Sequence, residues 1–140
     1  MATVFDTKSI RNLTLLGHGE YGKTSLAEAM LYLSGKTDRL GKIADGNTVL
    51  DFDSEEQKRG ISISASLAHV AWKDIKINIV DTPGDPDFVG ESLQALRVAG
   101  SAVIVVDGKS GIEVGTELAW NAAEAAGVPR VFFVDRKSVV

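Results

Sequence analysis

Gly17-His18-Gly19-Glu20-Tyr21-Gly22-Lys23-Thr24 fits the pattern Gly-x4-Gly-Lys-Ser/Thr, the spacing of a loop that wraps a phosphate group. Glycines let the backbone curl until several N–H groups point at one anion, and a helix that starts at the end of the loop adds the partial positive charge of its N-terminus. Lys23 can reach outer phosphates, and the Thr24 hydroxyl can ligate Mg2+. The flanks are the ones this geometry needs: Leu13-Thr14-Leu15-Leu16 reads as a buried strand, and Ser25 to Leu33 as an amphipathic helix.

Around that loop the periodicity alternates between strand and helix. Arg11–Gly17 is the first strand and Lys23–Leu33 the first helix, with Leu26, Ala27, Met30 and Leu31 on a core-facing side. Ser34 to Gly60 has no period, carries Gly35, Gly41 and Gly46, and ends in the charged run Asp53-Ser54-Glu55-Glu56-Gln57-Lys58-Arg59. A stretch that long without structure reads as a functional loop or as disorder. Ile61–Trp72 alternates, with Ile61, Ile63, Ala65, Leu67 and His69 set against serines and alanines, and predicts a half-exposed strand. Trp72-Lys73-Asp74-Ile75 turns the chain into a second alternating strand, Lys76–Val80, so the pair is an antiparallel hairpin.

Asp81-Thr82-Pro83-Gly84 closes that strand, and Asp85-Pro86 has the form of an N-cap followed by proline at the first helical position. A helix over Pro86–Ala99 follows. Ala102–Val106 is a continuous apolar run suited to a parallel strand buried on both faces. Thr116–Ala126 is a helix that ends at Gly127 and Pro129, with Trp120 as a packing residue, and Val131–Val134 is the last strand. The order implies an α/β fold, a mostly parallel sheet with helices on both faces and one antiparallel strand. Ligands of such sheets bind beyond the carboxyl ends of the strands, so Gly17–Thr24 and Asp81–Gly84 converge on one site. Asp81 stands where a Mg2+-side carboxylate belongs, and Gly84 leaves a backbone N–H free to approach a terminal phosphate.

The 140 residues suffice for one small domain with a core. No run of 18 apolar residues and no signal-peptide pattern occurs, so no membrane span is expected. The absence of cysteine excludes a disulfide framework and thiolate metal sites and fits a reducing cytoplasm. A net charge of −4 excludes nucleic-acid binding by overall electrostatics and leaves only local basic patches for it.

Four stretches together resemble the GTP-binding domain of translational GTPases, above all elongation factor G and its paralogues, which include ribosomal-protection and release-factor-like proteins. They are Gly17–Thr24, Asp45–Asp51, Glu55–Ile63, and Asp81–Gly84 with Asp87-Phe88; Val106–Glu117 is also similar. The resemblance implies a P-loop GTPase fold, truncated after the fifth strand, with residues 1–140 forming a single, C-terminally incomplete GTP-binding domain. It implies GTP/GDP and Mg2+ as ligands and the ribosome as partner in the full-length context. His18, Gly19, Glu20, Tyr21, Gly22, Lys23, Thr24 and Ser25 would bind nucleotide, and Thr24, Ser62 and Asp81 would hold the metal. Two switch loops are implied, about Thr37 to Ile61 and Asp81 to Gly90, ordered by the γ-phosphate and released on hydrolysis.

Three departures from the family stand out. Asp85 occupies the position of the histidine that orients the attacking water, so the implied catalytic set is Asp85, Gly84 and Ser62. Glu20 and Tyr21 replace an aspartate and a small residue, bringing charge and bulk to the phosphate loop. Asp135-Arg136-Lys137-Ser138 stands where the family has Asn-Lys-x-Asp to read guanine, which leaves Asp135 as the base-side residue. Guanine binding and GTP hydrolysis are therefore expected from the resemblance, with a non-hydrolysing nucleotide-binding remnant, or a P-loop protein without guanine specificity, as the alternatives. Without further chain, Phe132 and Phe133 would lie at an open sheet edge, and marginal stability or self-association through that edge is expected.

Overall fold

The computed structural model describes residues 4–135. Five strands, β1 (Ile10–Leu16), β2 (Ser66–Trp72), β3 (Ile75–Asp81), β4 (Ser101–Asp107) and β5 (Arg130–Asp135), form one sheet in the order β2-β3-β1-β4-β5. β1 runs parallel to β3 and β4, β4 parallel to β5, and only β2 and β3 are antiparallel. The hairpin between them turns on Lys73 and Asp74, both at positive φ (46° and 64°), the two-residue turn whose twist matches the flanking strands.

Four α-helices complete the described residues: α1 (Lys23–Leu33), α2 (Ser54–Arg59), α3 (Val89–Leu96) and α4 (Val114–Ala125). Strand alternation divides the core in two. Leu15, Ile79 and Val70 meet Ala27 and Leu31 of α1, with Leu50 joining from the long loop. Leu16, Ala102, Ile104 and Val106 point the other way, against Leu96 of α3 and Ala123 of α4. β4 is thus covered on both faces, as its unbroken apolar run requires.

Three local readings change. The run Ser54–Arg59 lies in the aperiodic stretch but is a helix. Asp53 and Glu56 form a capping box at its start and Gly60 ends it in a left-handed conformation, so six residues suffice. The strand expected from Ile61 begins only at Ser66, because carboxylates take the preceding amides: Glu56 accepts from Ile63 and Ser64, and Glu91 from Ala65. Within β2 the buried face carries Ser66, Ala68 and Val70, while Leu67 is 72% exposed. The helix expected over Pro86–Ala99 divides into a 3-10 turn, Pro86–Phe88, capped by Asp85, and α3 proper.

β5 forms one edge of the sheet among the described residues, and Val131, Phe132, Phe133 and Val134 are all exposed. Trp120 packs as expected, stacked on Phe132 at 5.1 Å with the Arg130 guanidinium 3.8 Å from its ring centroid.

Candidate nucleotide and metal site

The chain leaves β1 toward β3 on one side and toward β4 on the other, so the carboxyl end of β1 is the crevice where such sheets take ligands. The loop from Gly17 to Gly22 lies there and feeds α1. Gly22 caps the helix at φ 87°, and a Cβ on it would press on the Asp135 carboxylate. Gly84 approaches so closely that a Cβ would collide with Lys23 Nζ and with Gly19 N. A cleft of about 660 Å³ opens between these elements. Its walls include His18, Gly19, Glu20, Gly22, Lys23, Thr24 and Ser25 from the loop and α1, Ser62 from the long segment, Gly84 and Asp85 after β3, and Asp135 at the end of β5.

Lys23 is nearly buried and donates from Nζ to the carbonyls of His18 (2.8 Å) and Gly17 (3.2 Å). Burial lowers its pKa to about 8, against the opposing pull of Asp81 and Asp51. Thr24 gives its hydroxyl proton to Asp81 Oδ2 at 2.6 Å, and Ser62 gives its own to Asp51 Oδ1 at 2.7 Å. The two hydroxyl oxygens stand 3.2 Å apart. With both protons directed at carboxylates, the two neighbouring oxygens keep lone pairs free, which suits a hard cation. Asp81 Oδ1 is buried and has no hydrogen-bond partner. Burial, only partly offset by Thr24 and Lys23, raises the Asp81 pKa to about 7, and burial also pushes Asp51 up. The donor set therefore fits Mg2+, which takes one or two carboxylates and leaves positions for phosphate oxygens and water. No cluster of three or more His, Cys, Asp or Glu able to hold a metal occurs among the described residues.

Tyr21 corrects an expectation: its bulk is not beside the phosphate cradle. The side chain is 6% exposed and packs on His18, 5.1 Å between ring centroids, away from the cleft wall. Glu20 does line the cleft, exposed and at φ 62°. Asp85 lines it too, but its carboxylate accepts from Asp87 N at 2.9 Å. Ile43, Ala44 and Asp51 also line the cleft, although the sequence did not single them out as site residues. Asp51 ends the Asp45–Asp51 stretch that resembles the family, which was its signal in the sequence, and buried Glu28 holds the amide of Leu50 beside it. Arg136, Lys137 and Ser138 of the altered base-reading stretch lie outside the described residues.

Residues 8–137 match the model of the elongation factor Tu GTP binding domain. The chain belongs to this family. Among relatives of this GTP-binding domain, elongation factor G 2 of Streptomyces coelicolor is 44% identical over 128 residues, which are 91% of this chain and 19% of that protein. The mitochondrial ribosome-releasing factor 2 of Anopheles gambiae is 43% identical over 129 residues, 92% of this chain and 18% of that one. The crystal structure of ttk003000868 from Thermus thermophilus superposes with a TM-score of 0.88 at 37% identity, covering 90% of this chain and 19% of that structure. The chain thus spans about a fifth of the length of the relatives it matches. The P-loop GTPase fold expected from the sequence is the fold observed. No described helix is long and apolar enough to cross a membrane.

Proposed function

We propose that this chain is the guanine-nucleotide-binding and GTP-hydrolysing domain of an elongation-factor-G-like translation factor, acting with Mg2+ on the ribosome in the cytoplasm. The observation that carries the reading is the meeting of Lys23, the Thr24 and Ser62 hydroxyls, Asp81 and the bare backbone of Gly84 around one cleft. Phosphoryl transfer asks the protein mainly for positioning and charge stabilisation, and these groups provide both.

In this reading the amides of Gly19 to Thr24 cradle the phosphates and Lys23 holds their outer oxygens. Thr24, Ser62 and Asp81 hold Mg2+, which neutralises phosphate charge when bound. The Gly84 N–H approaches the terminal phosphate, and Asp85 stands where water is oriented. Asp135, which lines the cleft, would serve as the base-side residue. The test is calorimetric titration with Mg·GDP against Mg·ADP. Tight GDP and weak ADP binding supports the reading; equal weak binding of both points to a phosphate site without a base pocket, and heat from neither refutes it.

A second reading, nucleotide binding without hydrolysis, is favoured by one observation: the Asp85 carboxylate caps the turn after Gly84 through Asp87 N. A carboxylate near a triphosphate also lacks the donor of a neutral imidazole. Turnover of Mg·GTP separates the two. The exposed β5 edge supports a further proposal, self-association of the isolated chain.

A further inference from the structure

We infer that Glu113 is a positioning residue for the phosphate grip, acting through His18; the inference rests on the nucleotide-binding reading above. Glu113 lies outside the cleft wall, at the N-cap of α4 and 95 positions along the chain from His18. Its Oε2 stands 3.1 Å from His18 Nε2. Two further contacts hold the imidazole. Tyr21 packs on it with ring planes at 56°, and its Nδ1 is buried without a hydrogen-bond partner. Gly115 presses so close that a Cβ there would come 2.7 Å from His18 Nδ1 and from its Cα.

The clamp matters because of what the His18 backbone does. Its carbonyl takes the shorter of the two hydrogen bonds from Lys23 Nζ, at 2.8 Å. The next residue is Gly19, whose N–H lies against Gly84. A shift of His18 therefore moves one seat of the lysine ammonium and one wall of the cradle together. Glu113 is the polar, charge-assisted part of that clamp, and Tyr21 and Gly115 are its steric part. Loop geometry within the cleft is thus fixed from the β4–α4 connection.

The experiment compares Glu113→Ser with Glu113→Gln in the whole chain. Serine is a good N-cap, so Glu113→Ser keeps the start of α4 while removing the reach to His18. Glutamine keeps an acceptor oxygen at the same reach. Mg·GDP affinity is measured by calorimetry, melting temperature by circular dichroism, and the imidazole signals by NMR, which the presence of only two histidines makes simple to assign. Glu113→Ser is expected to weaken Mg·GDP about tenfold, the scale of one hydrogen bond to a charged group. Its melting temperature stays close to wild type, and its His18 signals shift while those of His69 do not. Glu113→Gln is expected to stay within about threefold of wild type. Unchanged affinity in Glu113→Ser, or a loss that Glu113→Gln shares in full, overturns the inference alone. A wild-type chain that binds no Mg·GDP overturns the nucleotide reading and this inference with it.

Discussion

Asp81→Asn should make the metal-free chain more stable while weakening its use of Mg2+. The Asp81 carboxylate is 2% exposed, receives one hydrogen bond, from Thr24, and leaves Oδ1 without a partner. Burial raises its pKa from 3.8 to about 7. At ~1.4 kcal/mol per pH unit of difference, ionised Asp81 costs the folded state about 4 kcal/mol at pH 8. The sign is unusual for a carboxylate. Between pH 4 and 7 the folded chain binds the proton more tightly than the unfolded chain, so this group's contribution falls as pH rises through that window and is most unfavourable above it.

Asparagine removes the ionisation and keeps an oxygen for the Thr24 hydroxyl, but adds amide protons whose burial costs roughly 1–3 kcal/mol. The net gain at pH 8 is roughly 1–3 kcal/mol, or roughly 3–10 °C in melting temperature for a domain this size. At pH 5 wild-type Asp81 is largely protonated in the fold and the gain shrinks or vanishes. The assay is thermal melting by circular dichroism in EDTA at pH 5 and pH 8, followed by Mg2+ titration of GDP affinity. Asp81→Asn melting below wild type at pH 8, or gaining more at pH 5 than at pH 8, refutes the reasoning. A stability gain paired with lost Mg2+ dependence is the pattern expected where function holds a charge in a dry place.

Four other outcomes are expected. Gly84→Ala forces a methyl group onto Lys23 Nζ and the Gly19 backbone, which must shift, so calorimetry should show Mg·GDP affinity falling more than about tenfold, with some loss of melting temperature. Glu28→Ala strips the acceptor from the Val49 and Leu50 amides, costing roughly 2–4 kcal/mol in denaturant unfolding and speeding hydrogen exchange at those two amides first. His69, held below its ordinary 6.5 by burial and by Lys36 and Lys76, resists protonation in the fold, so stability should fall as pH drops through about 6.5. The difference in melting temperature between wild type and His69→Gln should then grow from pH 7.5 to 5.5, and a constant difference counts against it. The exposed β5 edge predicts concentration-dependent association in sedimentation, which Phe133→Lys should reduce; a wild-type chain monomeric at about 100 μM contradicts it.

Much of the site is local in sequence and was legible there. A strand, a glycine-bearing loop and a helix N-terminus bring Gly17 to Thr24 into phosphate-binding form through short-range backbone requirements alone. The strand end at Asp81, the proline after Asp85 and the turn at Lys73-Asp74 are equally local. The signal for α2, an aspartate and a glutamate three apart and then a glycine, was also in the sequence but was masked by its lack of an apolar face.

What the sequence by itself determined is this local chemistry and, through the match of several such stretches, the family. Which face of β2 is buried was decided by what covers the strand: α1 and Leu50 lie over Ala68 and Val70, while among the described residues Leu67 keeps its side chain exposed. The direction of Tyr21 was decided by the space beside His18, and the meeting of Ser62 and Asp51 with Thr24 by amides held on Glu28, Glu56 and Glu91. The pairs Thr24–Ser62, Glu28–Leu50 and Glu91–Ala65 join positions more than twenty residues apart, so no local propensity encodes them. They exist because buried polar groups must find partners, and only the closed fold brings those partners within reach.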